Sequence, residues 1–429
     1  MMKMPRLFQP QSLQSVFSPG GQPSVTYVDR AHLGIEATLK KAIALPNTIV
    51  ALTGPTKSGK TVLCTRVLQT YEYEYVWIDG GQIKNEGDAW SKICTELRLA
   101  TEFIESEGSA GHAGAGGSGE ISAGLPANQI KLSLTVNGSR LRSIEKSYRY
   151  LPDNMHQAIE ALLDKKISLV IDYFHYVPDE ARASLVRSLK GAVFRGLKVV
   201  LLSTPHRAFD AIKAEAEVTG RFKHVTVPHW STDDLRLIAE IGFEALNIEA
   251  ERDMIETLAN ESEGSPLLMQ RFCWNLCYDA GIVVTSTFSK LLVNVDVEAI
   301  FNEVANDAGL PTYEKLAKGP QSRTDRIRRP MAGGGTADIY EAILLAVAKT
   351  GPKERISYDQ IRTNLNLILT DKIPQKIEVS NALNYLTEID SKENKGQRAI
   401  DWDGQNLDLF LTDPFFRFYL RWKIARQTA

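Results

Sequence analysis

One short stretch of the chain has the residue types and spacing of a phosphate-binding site. Residues 54–61 read Gly-Pro-Thr-Lys-Ser-Gly-Lys-Thr and fit the pattern G-x-x-x-x-G-K-[ST]. In such a loop backbone N–H groups surround phosphate oxygens, Lys60 adds positive charge toward the β- and γ-phosphates, and Thr61 offers a hydroxyl to Mg²⁺. The pattern predicts a site for ATP with Mg²⁺, and the alternative is a chance match in a glycine-containing turn.

The residues on both sides of this loop fit the geometry that phosphate binding needs. Residues 48–53 form an apolar, β-branched run typical of a buried strand, and residues 62–68 have helical spacing. A helix that begins directly after a loop points its free N–H groups at an anion. The nucleotide-binding residues predicted here are Gly54, Pro55, Thr56, Lys57, Ser58, Gly59, Lys60, Thr61 and Val62.

Polar residues end two further apolar strands. Residues 166–172 run Lys-Ile-Ser-Leu-Val-Ile-Asp, so Asp172 stands where a carboxylate can hold Mg²⁺ through water, opposite Thr61. Ser203 and Thr204 follow the strand at 198–202 and could hydrogen-bond a γ-phosphate or the attacking water, the role called sensor 1. The alternatives are that Asp172 only caps a turn and that Ser203 and Thr204 only end a strand.

Composition limits the class of protein. The chain has 429 residues, 43% of them hydrophobic, and a formal net charge of −2, which indicates a globular protein of two or three domains without a general excess of basic charge. The N-terminus lacks the apolar region of a secretory signal, and no apolar run reaches the ~20 residues of a membrane span. We therefore expect a cytoplasmic protein without a membrane partner. The four cysteines lie in apolar helical patterns and are predicted to be buried free thiols rather than metal ligands: Cys64, Cys94, Cys273 and Cys277.

Strands alternate with helices through the first half of the chain, which predicts an α/β fold with a parallel sheet. The predicted strands are 48–53, 74–79, 166–172, 198–202 and 224–227. A Gly- and Ser-rich stretch at about 105–120 is predicted to be a flexible insert, and residues 130–138 suggest a short strand or hairpin.

The second half of the chain has mainly helical patterns. The changes of pattern and composition along the chain predict five regions. They are a loose N-terminal arm at 1–23, a phosphate-loop core at 24–228, a helical lid at 229–308, a linker at 309–336 and a winged-helix domain at 337–429. The lid is predicted as helices over 231–247 and 251–278. The winged helix is predicted from three helical patterns, a two-stranded wing at 399–402 and 407–411, and a closing aromatic helix at 413–422.

In this order, the motifs resemble those of STAND-type and origin-recognition-like AAA+ ATPases of the phosphate-loop NTPase class. The chain looks most like archaeal-type ATPases with a C-terminal winged helix, which share the closing run Asp413-Pro-Phe-Phe-Arg-Phe-Tyr419. It is also similar to a bacterial ATP-binding group with Ile-Asp-x-Phe-His and Pro-His-Arg-Ala motifs, found here at 171–175 and 205–208. The resemblance covers about residues 24–429 outside the Gly-rich insert.

The resemblance implies roles for further residues. Val28 and Arg30 lie where these families line the adenine site, and Pro266 in Gly264-Ser265-Pro266 lies where STAND ATPases touch the base and sense the phosphates. Pro266 is also a favourable first helical residue by itself. Arg221 stands where AAA+ proteins place an arginine finger that acts on a neighbouring subunit, which implies a homo-oligomer. A solvated or salt-bridged arginine is the alternative, and His206 and Arg207 could also face the nucleotide.

The residue after Asp172 departs from the family pattern. Many AAA+ hydrolases have a carboxylate there as general base, but this chain has Tyr173, which does not deprotonate water near neutral pH. His175, Asp179 or Glu180 could substitute. We therefore expect an ATPase with slow hydrolysis, and predict catalytic roles for Lys60, Asp172, Ser203, Thr204 and Arg221.

Two functions fit these features. The first is an ATP/ADP-operated, oligomerising switch that acts on a separate protein partner or effector in antiviral defence or regulation. The second is a DNA-binding ATPase, such as an initiator, loader or transposition helper, that uses the winged helix. The predicted recognition helix at 375–388 balances Lys376, Asn381 and Asn384 against Glu378 and Glu388, which favours a protein-binding or autoinhibitory role. A metabolic kinase is a weaker third possibility, because no substrate-pocket motif is present.

Overall fold

The computed structural model describes residues 10–99, 153–205, 221–293, 295–321, 325–393 and 398–426. The predicted insert at 105–120, the predicted hairpin at 130–138, and His206 and Arg207 lie outside these residues.

A five-stranded parallel sheet forms the centre of the first half of the chain. Its strands are β1 (Ile49–Thr53), β2 (Tyr75–Asp79), β3 (Ser168–Asp172), β4 (Val199–Ser203) and β5 (Phe222–Thr226). Their order across the sheet is β2-β3-β4-β1-β5, and all four neighbouring pairs are parallel. The predicted α/β class and parallel sheet are confirmed.

Helices cover both faces of this sheet, which explains why β1, β3 and β4 are buried along their whole length. They are α2 (Ile35–Ala44), α3 (Lys60–Thr70), α4 (Glu86–Glu96), α5 (Asn154–Asp164) and α6 (Asp179–Phe194). One apolar cluster lies on each face, the first around Leu39 and Leu68 and the second around Trp90 and Leu189. We call the sheet with these helices the sheet core.

Residues 231–279 of the predicted lid form three helices. They are α7 (Thr232–Ala245), α8 (Arg252–Glu261) and α9 (Pro266–Asp279). Ser231 caps α7 as expected, with its hydroxyl accepting the Asp234 N–H. The helical prediction over 251–278 divides into α8 and α9, because Gly264 has a left-handed φ of 69° and Pro266 is the first residue of the new helix, as its residue type favours.

The N-terminal arm is not loose over its described part. Helix α1 (Leu13–Val16) and Phe17 are buried against the lid, and the Leu13 N–H donates to the Val283 carbonyl. This correction has a simple cause. Leu13, Val16 and Phe17 recur at helical spacing and place an apolar face on the lid.

The segment predicted as a linker is also folded. Helix α10 (Val297–Ala308) ends the predicted lid, α11 (Leu310–Lys318) follows it inside the predicted linker, and a short hairpin then pairs β8 (Arg329–Pro330) with β9 (Thr336–Ala337). Leu316 is fully buried. The Gly, Pro and Arg content that suggested a free connection instead marks the helix ends and the hairpin turn. Strands β6 (Ile248–Glu249) and β7 (Lys290–Leu291) form a further short pair in the lid.

The C-terminal unit contains three helices and an antiparallel three-stranded sheet. The elements are α12 (Ile339–Lys349), β10 (Arg355–Ser357), α13 (Tyr358–Ile368), α14 (Lys376–Glu393), β11 (Ile400–Asp403) and β12 (Asp408–Leu411). They occur in the order that the winged-helix hypothesis requires. The chain then continues into α15 (Pro414–Tyr419) and a π-helical turn at Leu420–Ala425.

A single apolar cluster runs through the arm, the lid, the segment 297–318 and the C-terminal unit, from Leu13 to Ile424. These parts therefore form one body by packing, which we call the helical body, although the sequence suggested separate domains. Within the described part of the chain, no helix combines the length and apolar character needed to span a membrane.

Candidate nucleotide-binding site

The predicted phosphate loop lies between β1 and α3, at the carboxyl edge of the sheet. Gly54 is required there because a Cβ would come within 2.7 Å of the Val227 carbonyl oxygen. Gly59 has a φ of 87° and precedes the first helical residue, Lys60, in a left-handed conformation that favours glycine. The two glycines let the backbone turn back over the start of α3, where free N–H groups can bind an anion.

Lys60 is held close to the loop backbone. Its ammonium donates to the carbonyl oxygens of Gly54 and Pro55 at 2.8 and 2.7 Å. Burial lowers the pKa of the Lys60 ammonium to about 8, while the nearby Asp172 and Glu354 carboxylates act in the opposite direction. A charge kept in place but poorly solvated is well suited to bind a phosphate.

Thr61 and Asp172 meet as the sequence predicted. The Thr61 hydroxyl donates to the Asp172 carboxylate at 2.9 Å. Asp172 is only 5% exposed, and burial raises the pKa of its carboxyl even though Thr61 and the Tyr173 N–H donate to it. The described residues contain no cluster of three or more His, Cys, Asp or Glu side chains that could hold a metal by themselves. A hydroxyl and a carboxylate as the protein's oxygen donors do fit Mg²⁺, which keeps several ligands from water and phosphate.

The strand order brings Ser203 and Thr204 to the same edge. Strand β4 lies between β1 and β3, and Ser203 pairs with Thr53 at the end of β1. Both Ser203 and Thr204 are buried and line the cavity above the loop. The Ser58 and Thr204 hydroxyls are buried, and neither has a hydrogen-bonding partner among the described residues. Because a buried hydroxyl without a partner is costly, both atoms fit a site that receives polar ligand atoms.

The cavity has a volume of about 410 Å³ and lies between the sheet core and the helical body. Val28, Arg30 and Pro266 line it, as the predicted base end requires. Arg30 is buried with its guanidinium 4.4 Å from the centre of the Trp230 ring, and the indole N–H of Trp230 donates to the Ser58 carbonyl at 2.9 Å. The predicted loop residues from Thr56 to Val62 therefore share one cavity with the base-end residues, whereas Gly54 and Pro55 do not line it.

Arg221 lies elsewhere. It immediately precedes β5, at the amino edge of the sheet, and does not line the cavity. Its guanidinium is 5.5 Å from the centre of the Phe194 ring at the end of α6. Arg221 therefore does not take part in the site of its own chain, and an action on another subunit stays a prediction.

The candidates for a general base differ in position. Tyr173 and His175 line the cavity, and Tyr173 has a left-handed φ of 51° next to Asp172. Asp179 and Glu180 are exposed at the start of α6 and lie outside the cavity, where Asp179 pairs with Arg182 at 2.7 Å. Of the three proposed substitutes, only His175 is close to the site.

Several contacts to the site come from residues that the sequence did not indicate. Asp413 of the C-terminal unit forms an ion pair with Lys57 of the phosphate loop at 2.7 Å, and the Phe415 ring centre is 4.4 Å from the same ammonium. Glu354 forms an ion pair with His229 at 2.7 Å. The Asp413-Pro414 pair does signal a helix start, but nothing local identifies Lys57 as its partner.

The C-terminal unit also touches the segment after Asp172. The Arg398 N–H donates to the Tyr176 hydroxyl at 2.8 Å, and the Arg398 guanidinium is 5.1 Å from the centre of that ring. Burial raises the pKa of Tyr176 to about 12, so its hydroxyl is kept as a neutral hydrogen-bonding group. Residues 18–23, Thr26 and Gln270, which line the base end, were missed as well. The apolar spacing of residues 13–17 was the only available signal that the arm docks.

The strand order with β4 inserted between β1 and β3, and the loop at the end of β1, define the fold as that of AAA+ phosphate-loop NTPases. No known sequence family and no curated protein matches the chain. Among solved structures, the chain is similar to the Aeropyrum pernix ORC2 protein, solved as ADPNP–ADP complexes, with 14% identity, 97% of this chain and 98% of that chain covered, and a TM-score of 0.50. At this identity the likeness supports the fold alone.

Two other archaeal structures give similar matches. Cdc6p from Pyrobaculum aerophilum has 14% identity, 97% and 98% coverage and a TM-score of 0.44. The Walker-type ATPase paby2304 of Pyrococcus abyssi has 13% identity, 90% and 95% coverage and a TM-score of 0.49.

Proposed function

We propose that the chain binds ATP with Mg²⁺ at the phosphate loop and works as a slowly hydrolysing switch. In this proposal ATP and ADP favour different arrangements of the sheet core and the helical body. The observation that carries it is the ion pair between Lys57 and Asp413. A loop whose function is to bind a polyanion already holds a carboxylate from the C-terminal unit.

This contact gives the nucleotide a way to act on the C-terminal unit. Phosphate oxygens and the Asp413 carboxylate compete for the positive charge of the loop. A ligand shifts an equilibrium only as far as it binds one state better than the other. The competition supplies such a difference, because ATP binds better to a loop from which Asp413 has been released.

The polar groups of the cavity support ATP with Mg²⁺ as the ligand. Lys60 and the start of α3 provide positive potential for the phosphates, and the unpartnered Ser58 and Thr204 hydroxyls provide polar contacts. Thr61 and Asp172 would hold Mg²⁺, which would link the phosphates and offset their charge. Ser203 would support Thr204 at the γ-phosphate end, and Val28, Arg30 and Pro266 would line the base.

Slow turnover follows from the residues around Asp172. Tyr173 takes the position after the Mg²⁺-holding carboxylate, and its hydroxyl is a poor base near neutral pH. Of the proposed substitutes, His175 is the one that lines the cavity. ATP would therefore stay bound longer than in a typical AAA+ motor, as a switch requires.

The exposed face of α14 supports a protein partner over DNA. It displays Ile377, which is 67% exposed, and Tyr385, and its exposed Lys376, Asn381 and Asn384 are offset by the carboxylates of Glu378 and Glu388. A helix that reads a DNA groove needs basic or amide side chains to approach phosphates and bases. Aliphatic and acidic groups at these positions fit a protein surface better.

Asp413→Asn tests the coupling. Asparagine keeps the cap on α15, where Asp413 accepts the Phe415 N–H, but it removes the charge that competes for Lys57. An ion pair of this kind contributes about 1 kcal/mol, so we expect ATP to bind about fivefold more tightly than to the wild type. Titration calorimetry of the full chain with Mg²⁺ measures the change.

Asp307→Asn is the matched control, since it makes the same change in a surface pair with Arg271 that is remote from the loop. Equal ATP affinity in the Asp413 variant and the wild type would refute the coupling. Loss of ATP binding in Lys60→Ala is required as well, because retained binding would mean that the loop is not the site.

Oligomerisation is tested by light-scattering mass with ATP and with ADP. We expect a larger assembly with ATP, and slower hydrolysis in that assembly for Arg221→Ala than for the exposed control Arg195→Ala. A wild type that stays monomeric with ATP at all concentrations contradicts the arginine-finger role. A DNA-stimulated ATPase with a steep salt dependence of binding would instead favour the DNA-handling function.

A further inference from the structure

The base end of the cavity has a wall made by the arm. Residues 18 and 20–23 line it, together with Thr26 and with Gln270 of α9. This wall belongs to the helical body, whereas the phosphate loop belongs to the sheet core. A nucleotide that fills the cavity must therefore touch both bodies.

Gln270 ties the arm to the lid. Its side chain is 5% exposed, its Oε1 accepts the Ser18 N–H at 3.0 Å, and its Nε2 donates to the Thr26 hydroxyl at 2.7 Å. The Thr26 hydroxyl in turn donates to the Val16 carbonyl at 2.6 Å. Both ends of the amide hold the chain on either side of the wall, so Gln270, which itself lines the cavity, fixes the position of the arm there.

Packing fixes the start of the arm to the same body. The Phe17 ring is fully buried and lies so close to α7 that a Cβ on Gly242 would be 2.2 Å from it. The ring also meets Phe243 edge-on, with 5.7 Å between centroids. The arm therefore moves with the lid, because separating them would open the apolar core.

We propose that Gln270 is a positioning residue that holds residues 18–23 as the base-facing wall of the nucleotide site. Base binding then depends on the position of the lid, while phosphate binding depends on the loop. This role rests on the proposed function, since it requires that the cavity binds ATP.

The test compares a ligand that has a base with one that does not. Titration calorimetry of the full chain measures ATP and inorganic tripolyphosphate, both with Mg²⁺, for the wild type and Gln270→Leu. Leucine fills a similar volume but removes both hydrogen bonds to the arm. We expect ATP to bind about tenfold more weakly and tripolyphosphate to change by less than about twofold.

Asn275→Leu is the matched control. Asn275 lies on the same helix and is buried, and its amide has no hydrogen-bonding partner among the described residues. The same chemical change there should leave the ratio of ATP to tripolyphosphate affinity at the wild-type value. A ratio that falls equally in the control would show a general effect of disturbing α9 and would overturn the proposal.

Thr26→Val approaches the same hydrogen bonds from the arm and is nearly isosteric. It should lower the ratio of ATP to tripolyphosphate affinity as Gln270→Leu does. The double variant should lose little more than either single variant, because each of the three variants removes the hydrogen bond between residues 270 and 26. If Gln270→Leu does not fold, as judged by thermal unfolding, the ratio for Thr26→Val alone decides.

Two failures remain distinct. Equal losses of ATP and tripolyphosphate affinity, no loss of either, or additive effects in the double variant would refute the role of Gln270 while ATP binding by the wild type stands. A wild type that binds neither ligand would refute the proposed function itself.

Discussion

The interior of the helical body and its contact with the sheet core are built from different interactions. Inside the body the Phe272, Phe301 and Phe418 rings meet at centroid distances of 4.7 to 5.7 Å and join the lid, α10 and the C-terminal unit. Across the contact, by comparison, charged and polar groups meet, as in Lys57 with Asp413 and Arg398 with Tyr176.

The difference teaches which parts can move. Apolar packing is lost only when water enters, so the arm, lid and C-terminal unit should behave as one piece. A partly exposed ion pair contributes little and is sensitive to a competing anion. Motion driven by a nucleotide is therefore expected between the two bodies and not within either of them.

Phe272→Ala should produce the largest effect of the changes considered. If the free energy of unfolding did not fall, the contrast between the apolar interior of the helical body and its polar contact with the sheet core would be wrong. The ring is fully buried where three segments meet, so its loss should lower the free energy of unfolding by about 3–5 kcal/mol. Chemical denaturation measures this change. Fluorescent probes on the lid and on the C-terminal unit should report one shared transition.

Phe288→Ala is the control for this change, because Phe288 is 82% exposed in the same body. Its effect should stay within about 0.5 kcal/mol. Separate unfolding of the lid and the C-terminal unit in the Phe272 variant would mean that the apolar cluster does not unite them.

A smaller effect concerns the protonation of Lys60, a polar group of the phosphate loop, when nucleotide binds. The lowered pKa of Lys60, about 8, means that part of the ammonium is neutral at pH 8 before nucleotide binds. Bound phosphate favours the charged form, so the pKa should rise and a proton should be taken up. The affinity for ATP should therefore fall as the pH rises through 8, because binding takes up a proton and the proton concentration in solution decreases.

Calorimetry of ATP binding in two buffers with different ionisation enthalpies measures this uptake. We expect a fraction of a proton at pH 8 and close to none from Lys60 at pH 6.5, where the ammonium is already charged. The same proton uptake at pH 8 and pH 6.5, or proton release at pH 8, would contradict a lowered pKa for Lys60.

Much of the sheet core could be predicted because its signals are local. The loop pattern and the strand that leads into it identify the site within a few residues. Apolar runs ending in Asp172 and Ser203 identify strands, and parallel strands bring their carboxyl ends to one edge. The predictions for the arm and the linker were wrong because short helices such as α1 and α11 gain their stability from packing, which composition does not record.

The sequence by itself determined that this chain has a phosphate loop, a parallel sheet and a carboxylate beside Thr61, since each depends on residue types a few positions apart. The tertiary structure alone decided what surrounds that site. Lys57 and Asp413 are 356 positions apart, and Gln270 and Ser18 are 252 apart. No local pattern specifies such pairs, because they depend on how two separately packed bodies come together.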